Sequence, residues 1–164
     1  MTRSFDTSDT NVVTTSGGQR VHKWHAAQSE VVRADFYEVR SGVWCLVGNG
    51  LSNQTFIEAP EGIIAVDTGE SIEEMREALR RLREFTSAPI AAVIYTHSHV
   101  DHFGGVLGIT SKEEVDGGKC RIIAPVHFLQ ETVGENIIAR PAMGRRATYQ
   151  FGAFLPRGPQ GHVD

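Results

Sequence analysis

The chain has 164 residues, with 16 Lys and Arg against 20 Asp and Glu, a formal net charge of −4. That length suits one domain of about 150 residues with a real core, and the slightly acidic balance excludes a protein held to nucleic acid through phosphate contacts. No run approaches the ~18–20 consecutive apolar residues of a transmembrane helix. No apolar stretch follows Arg3 as a secretory signal requires, so the chain is expected in the cytoplasm. Cys45 and Cys120 lie too far apart for a metal knuckle and read as buried free thiols.

In chain order, residues 1–30 are polar and without periodicity, and read as an N-terminal arm. Around His22, Trp24 and His25 a helical turn and a loop are both open. Residues 31–164 form the domain. Strand-like runs at 36–39 and 43–47 flank the turn Arg40-Ser41-Gly42, and runs at 53–58 and 62–66 flank Pro60-Glu61-Gly62. Ser71 and Glu74 have the spacing of a capping box. Ile72, Met75, Leu79, Leu82 and Phe85 then recur at helical spacing, with Arg76, Arg80, Arg81 and Arg83 mostly between them, which predicts an amphipathic helix. Residues 90–95 suit a buried strand, and strand, helix, strand in that order implies a parallel crossover. A further strand is expected at 121–126 and a helix within 127–138. Residues 139–164, rich in Gly, Pro and Arg, give no sign of a regular element. The expected class is α/β, a mixed sheet with flanking helices.

The chemistry concentrates at the end of the 90–95 run, in Thr96-His97-Ser98-His99-Val100-Asp101-His102. Three imidazoles and one carboxylate fall within six consecutive residues. Neutral imidazole suits zinc and related ions, and carboxylate adds a hard ligand. On an extended segment residues i and i+2 point the same way, so His97 and His99 can grip one ion together. Asp101 and His102 follow where the chain turns and can face a second ion. A lone histidine on an apolar face is usually a core residue, but a cluster at the C-terminal end of a strand is where open α/β sheets place ligands.

His97-x-His99-x-Asp101-His102, preceded by an apolar strand and by Val66-Asp67-Thr68-Gly69, resembles the signature of the metallo-β-lactamase fold hydrolases. Tyr95 to Val106 resembles the alkylsulfatase branch of that family more narrowly. So do Glu135 to Met143, Arg145 to Tyr149 and Gly158 to Gly161. The resemblance implies part of an αββα sandwich, the N-terminal portion of a longer enzyme. It implies one or two zinc ions, two in a complete site. His97 and His99 would ligate one ion and Asp101 and His102 the other, with Asp101 at the catalytic centre. Asp67 would support a ligand or its loop, or would simply sit in a helix-entry turn. The implied reaction is hydrolysis of an alkyl sulfate to alcohol and sulfate by zinc-activated water. Arg145 and Arg146 would then hold the anion and Asn136 and Tyr149 would add neutral donors. A glyoxalase II-like thioesterase or lactonase, and a metal-binding fragment without turnover, are the alternatives. Since the family completes its ligand set downstream, Glu131, Glu135, His127 and His162 are the leftover donors here. Phe103, Phe128, Phe151 and Phe154 would line an alkyl channel or pack in the core. Half a sandwich would leave one apolar sheet face bare, favouring a homo-oligomer or a missing C-terminal half.

Overall fold

The computed structural model describes residues 9–31, 33–150 and 153–154. The chain divides into two compact units, Ala34–Ala139 and, together, Met1–Arg33 with Arg140–Asp164. The histidine cluster lies in the first of these.

That unit is built on a six-stranded sheet in the order β3-β4-β5-β6-β7-β8. Its strands are β3 (Asp35–Arg40), β4 (Val43–Val47), β5 (Gln54–Ala59), β6 (Gly62–Val66), β7 (Ile90–Ile94) and β8 (Arg121–Ile123). β3 to β6 pair antiparallel through short connections, and β6, β7 and β8 run parallel, so the sheet is mixed as expected. The β6–β7 crossover is α2 (Ile72–Leu82). Ser71 caps it by accepting from the Glu74 N–H at 3.2 Å, while the Glu74 carboxylate reaches back to the Glu70 N–H at 2.8 Å rather than to the cap residue itself. Arg80 is bracketed by Glu77 and Glu84 on the exposed face, and the Arg80 guanidinium holds the Glu77 carboxyl below its ordinary range.

Period-two alternation decides which residues form the core. Trp44, Phe56, Ala65 and Val93 share one face through the register and are buried under α2, which contributes Met75, Ala78 and Leu82. The opposite face carries Val43, Cys45, Ile57, Ile64, Val66 and Ile94, all at least partly exposed. The sheet is thus apolar on both sides, the expected mark of a layer that packs a second layer. Gly62, at φ +133°, lets the start of β7 come close: a Cβ there would sit 2.3 Å from the Pro89 carbonyl oxygen, which accepts from the Ile63 N–H at 2.8 Å.

Between β7 and β8 lie α3 (Val100–Phe103), a 3-10 turn (Val106–Gly108) and α4 (Lys112–Asp116). After β8 come α5 (Phe128–Val133) and a π-helical turn (Gly134–Ile138), so the helix expected within 127–138 forms but changes its winding midway.

Two expectations need correction in the other unit. Part of the expected polar arm forms a hairpin, β1 (Val12–Thr14) with β2 (Arg20–His22), and α1 (Lys23–Val31) follows, the helical one of the two readings open around His22–His25. The hairpin closes through Gly18 at φ +84°, whose N–H donates to Thr15 O at 2.9 Å; its three-residue strands are too short to show a period. Residues 140–150, expected to be irregular, form α6 (Arg140–Gln150). Pro141 is tolerated in the first turn, where N–H groups have no helical partner. The helix buries none of its residues, so it carries no apolar stripe to read. Among the described residues no helix is long and apolar enough to cross a membrane.

Candidate metal centre

The ends of β6 and β7 set the site. Past Val66 the chain turns through Asp67, at φ +61°, a left-handed conformation that Asp tolerates better than most residues. The turn aims the buried Asp67 carboxylate along the sheet edge, where it accepts three hydrogen bonds. Oδ1 takes the Thr96 N–H at 2.9 Å; Oδ2 takes the Thr96 hydroxyl at 2.8 Å and lies 2.8 Å from His102 Nδ1. Asp67 therefore touches a cluster histidine directly.

The backbone of the cluster is clamped from the same side. The Thr68 N–H donates to His102 O at 2.8 Å, the Gly105 N–H donates to Gly69 O at 3.1 Å, and the Ser52 hydroxyl donates to Asp101 O. Gly105 allows this approach: a Cβ there would lie 2.1 Å from Thr68 O and 2.4 Å from Ser71 O. Gln54, fully buried, holds Ser52 through Nε2 to Ser52 O at 2.8 Å. An aromatic trio lies beneath. Tyr95 stacks on Phe128 with centroids 5.2 Å apart, and Phe103 meets both rings. Burial pushes the Tyr95 hydroxyl up to about 12 and raises the Cys120 thiol as well. Phe103 and Phe128 thus pack inward rather than line a channel; Phe154 is exposed, and Phe151 lies outside the described residues.

Each imidazole has one nitrogen engaged at its outer side. His97 Nδ1 lies 2.9 Å from Thr96 Oγ1, whose own proton goes to Asp67. His102 Nδ1 faces Asp67, and His99 Nε2 lies 3.1 Å from Glu135 Oε1. Acceptors at those positions assign the ring protons outward and the lone pairs inward. The inward atoms then stand in two pairs: His97 Nε2 is 3.0 Å from His99 Nδ1, and His102 Nε2 is 3.3 Å from Asp101 Oδ2. Each pair stands at hydrogen-bonding or ion-pairing distance, with its donor and acceptor roles following the tautomer adopted. The donor set, three imidazoles and a carboxylate, suits a divalent metal in that place. As the side chains stand, no group of three or more His, Cys, Asp or Glu among the described residues is disposed to hold one ion together. The His97 and His102 ring centroids are 4.0 Å apart.

The remaining expected residues fall elsewhere. The Asn136 amide donates to Ser98 O at 3.3 Å and to Thr132 O at 2.9 Å, which braces the cluster loop. Arg145, Arg146 and Tyr149 are exposed on α6, in the other unit. His127 is exposed at φ +67° before α5, and His162 lies outside the described residues. Thr96, Ser52 and Gln54 were not foreseen. Thr96 is adjacent to the motif and could have been found from its place between strand and first histidine; Ser52 and Gln54 carry no local signal.

A profile described as the metallo-beta-lactamase superfamily matches residues 47–152. The chain belongs to that superfamily, whose members depend on metal ions. Among its relatives are an (R)-specific secondary-alkylsulfatase of a Pseudomonas species and an alkyl/aryl-sulfatase of Saccharomyces cerevisiae. Each is 41% identical over 142 residues, 86% of this chain, against 21% and 22% of their own lengths. A linear primary-alkylsulfatase of Pseudomonas is 40% identical over 83% of the chain and 20% of its own length. The solved structure of the stereoselective inverting sec-alkylsulfatase Pisa1 from Pseudomonas superposes with a TM-score of 0.77 at 33% identity, over 94% of this chain and 27% of that one. The chain spans about a fifth of the length of these curated relatives.

Proposed function

We propose that this chain carries the metal-binding segment of an alkylsulfatase-type hydrolase, which cleaves alkyl sulfate esters to alcohol and sulfate. The observation that carries the reading is the pairing of inward-facing donors, His97 with His99 and Asp101 with His102, in a chain whose relatives are named alkylsulfatases. In this reading zinc is the metal. His97 and His99 would hold one ion, and Asp101 and His102 would hold a second in a complete centre. Bound zinc supplies Lewis acidity and brings the pKa of water down to about 7.

The protein's own groups do the rest. Asp67 holds the His102 Nδ1 proton and, through Thr96, the order of the loop. Asp101 and His102 are both partly exposed, at 24% and 21%. The sulfate group is a tetrahedral anion suited to planar guanidinium, and the family resemblance offers Arg145, Arg146 and Tyr149 as the residue types that would meet it. Asn136 already gives its amide hydrogens to the chain, so its contribution is to hold Ser98 in place, with sulfate contact requiring one bond to be exchanged.

The test is parallel assay of the zinc-loaded chain on dodecyl sulfate, on a secondary alkyl sulfate and on a hydroxyacyl thioester. Release of inorganic sulfate is expected. Thioester cleavage in its place would overturn the reading, and zinc uptake without turnover of any ester would assign this chain to metal binding alone.

A further inference from the structure

Glu135 lies 36 residues beyond His99, yet its carboxylate brackets the middle of the histidine motif. Oε1 is 3.1 Å from His99 Nε2, and Oε2 accepts from the Ser98 hydroxyl at 3.1 Å. Its neighbour Asn136 donates to Ser98 O at 3.3 Å. Two adjacent residues can both face the same dipeptide because the helix is rewound there. Gly134–Ile138 is a π turn, closed by the Ala139 N–H donating to Gly134 O at 2.9 Å. Such turns are rare and often sit at functional sites. The helix itself is docked by Phe128 against Tyr95 and Phe103, so Glu135 is delivered by a packed element rather than by a free loop.

His97 and His99 are not equivalent. His97 turns Nε2 inward with Nδ1 on Thr96, whereas His99 turns Nδ1 inward with Nε2 on Glu135. The more accessible ring nitrogen of His99 is thus taken up by a carboxylate, and the ring is left to meet an ion edge-on through Nδ1. With 48% of its side chain exposed, His99 has little packing to hold that orientation.

From this bracket, and resting on the metal-centre reading above, we propose that Glu135 is a positioning residue: it holds the His99 Nε2 proton and so selects Nδ1 as the nitrogen offered to the metal. The π turn exists to place it. The role is that of the carboxylate that orients a ligating imidazole, whose removal typically costs 10–100-fold in metal affinity.

The experiment uses the full 164-residue chain and zinc alone. Zinc affinity is measured by chelator competition, and the imidazole N–H protons are followed by 15N-edited NMR. Zinc-loaded wild type is expected to show a protected N–H proton assigned to His99 Nε2, with zinc on Nδ1. Glu135→Ala should lose that resonance and bind zinc about 10–100-fold more weakly. Glu135→Gln, whose amide oxygen still accepts, should keep the resonance and recover most of the affinity. Ser98→Ala, which releases only the other carboxylate oxygen, should shift the resonance without abolishing it. Wild-type affinity in Glu135→Ala, zinc on Nε2 of His99 in wild type, or a resonance indifferent to all three changes would overturn the proposal. If wild type takes up no zinc, the metal-centre reading fails instead; absence of sulfate-ester turnover touches neither readout.

Discussion

Replacing His97 and His99 together by alanine is expected to abolish stoichiometric zinc uptake. In the reading above these are both of the ligands this chain offers to one ion, so removing the pair leaves that ion without a protein ligand and weakens uptake by orders of magnitude. The pair left behind, Asp101 and His102, has its other contacts to Asp67 and Ser52 intact and holds an ion only loosely. Folding of the metal-free chain should change little, because His99 is exposed and both rings lie at the rim of the sheet. Chelator competition and urea unfolding of the metal-free double variant check both halves. Full zinc uptake would show that the ligands lie elsewhere.

The second large effect is expected at Asp67. Its carboxylate satisfies the Thr96 N–H, the Thr96 hydroxyl and the His102 ring within a buried turn, and its side chain is only 8% exposed. Asp67→Ala leaves three donors without an acceptor and puts alanine at φ +61°, where a residue without a local polar side chain is disfavoured. A loss of about 2–4 kcal/mol in the metal-free chain follows. Zinc affinity should fall a further 10–100-fold, because His102 loses the partner that fixes its Nδ1 proton. Asp67→Asn separates the two effects. It keeps the tolerance for the left-handed turn and one acceptor oxygen, but sets an amide against a donor, so it should recover part of the stability and little of the affinity. Urea midpoints and zinc competition on both variants give the answer; a change under about 0.5 kcal/mol in Asp67→Ala would contradict the hub geometry.

The chemistry was legible because it is local. His97, His99, Asp101 and His102 come from one turn of chain, and their two pairs need nothing but the direction of β7 and the start of α3. The sheet was legible for a similar reason: β4 and β6 are short apolar runs bounded by turn residues, and α2 carries its cap and its stripe in sequence order. What could not be read was held by tertiary structure. Ser52 reaches Asp101 over 49 positions; Glu135, one of the leftover donors in the sequence, reaches His99 over 36, a pairing no local pattern announces. Neither residue type is unusual where it stands. The left-handed turn at Asp67 is set by the meeting of β6 with β7, through the Asp67 N–H to Ile94 O at 2.9 Å, and no neighbouring glycine announces it at that position. The α6 helix escaped because it buries nothing, and the β1–β2 hairpin because three residues are too few to show a period. The family resemblance read from the histidine motif and from the block beginning at Glu135 agrees with the superfamily to which the chain belongs.

Zinc K-edge X-ray absorption of the zinc-loaded chain tests the central claim most directly. The predicted spectrum has nitrogen and oxygen neighbours only, with the outer-shell scattering of at least two imidazoles, lost together when His97 and His99 are replaced. Sulfur at zinc, supplied by Cys45 or Cys120, or a first shell without imidazole, would contradict it.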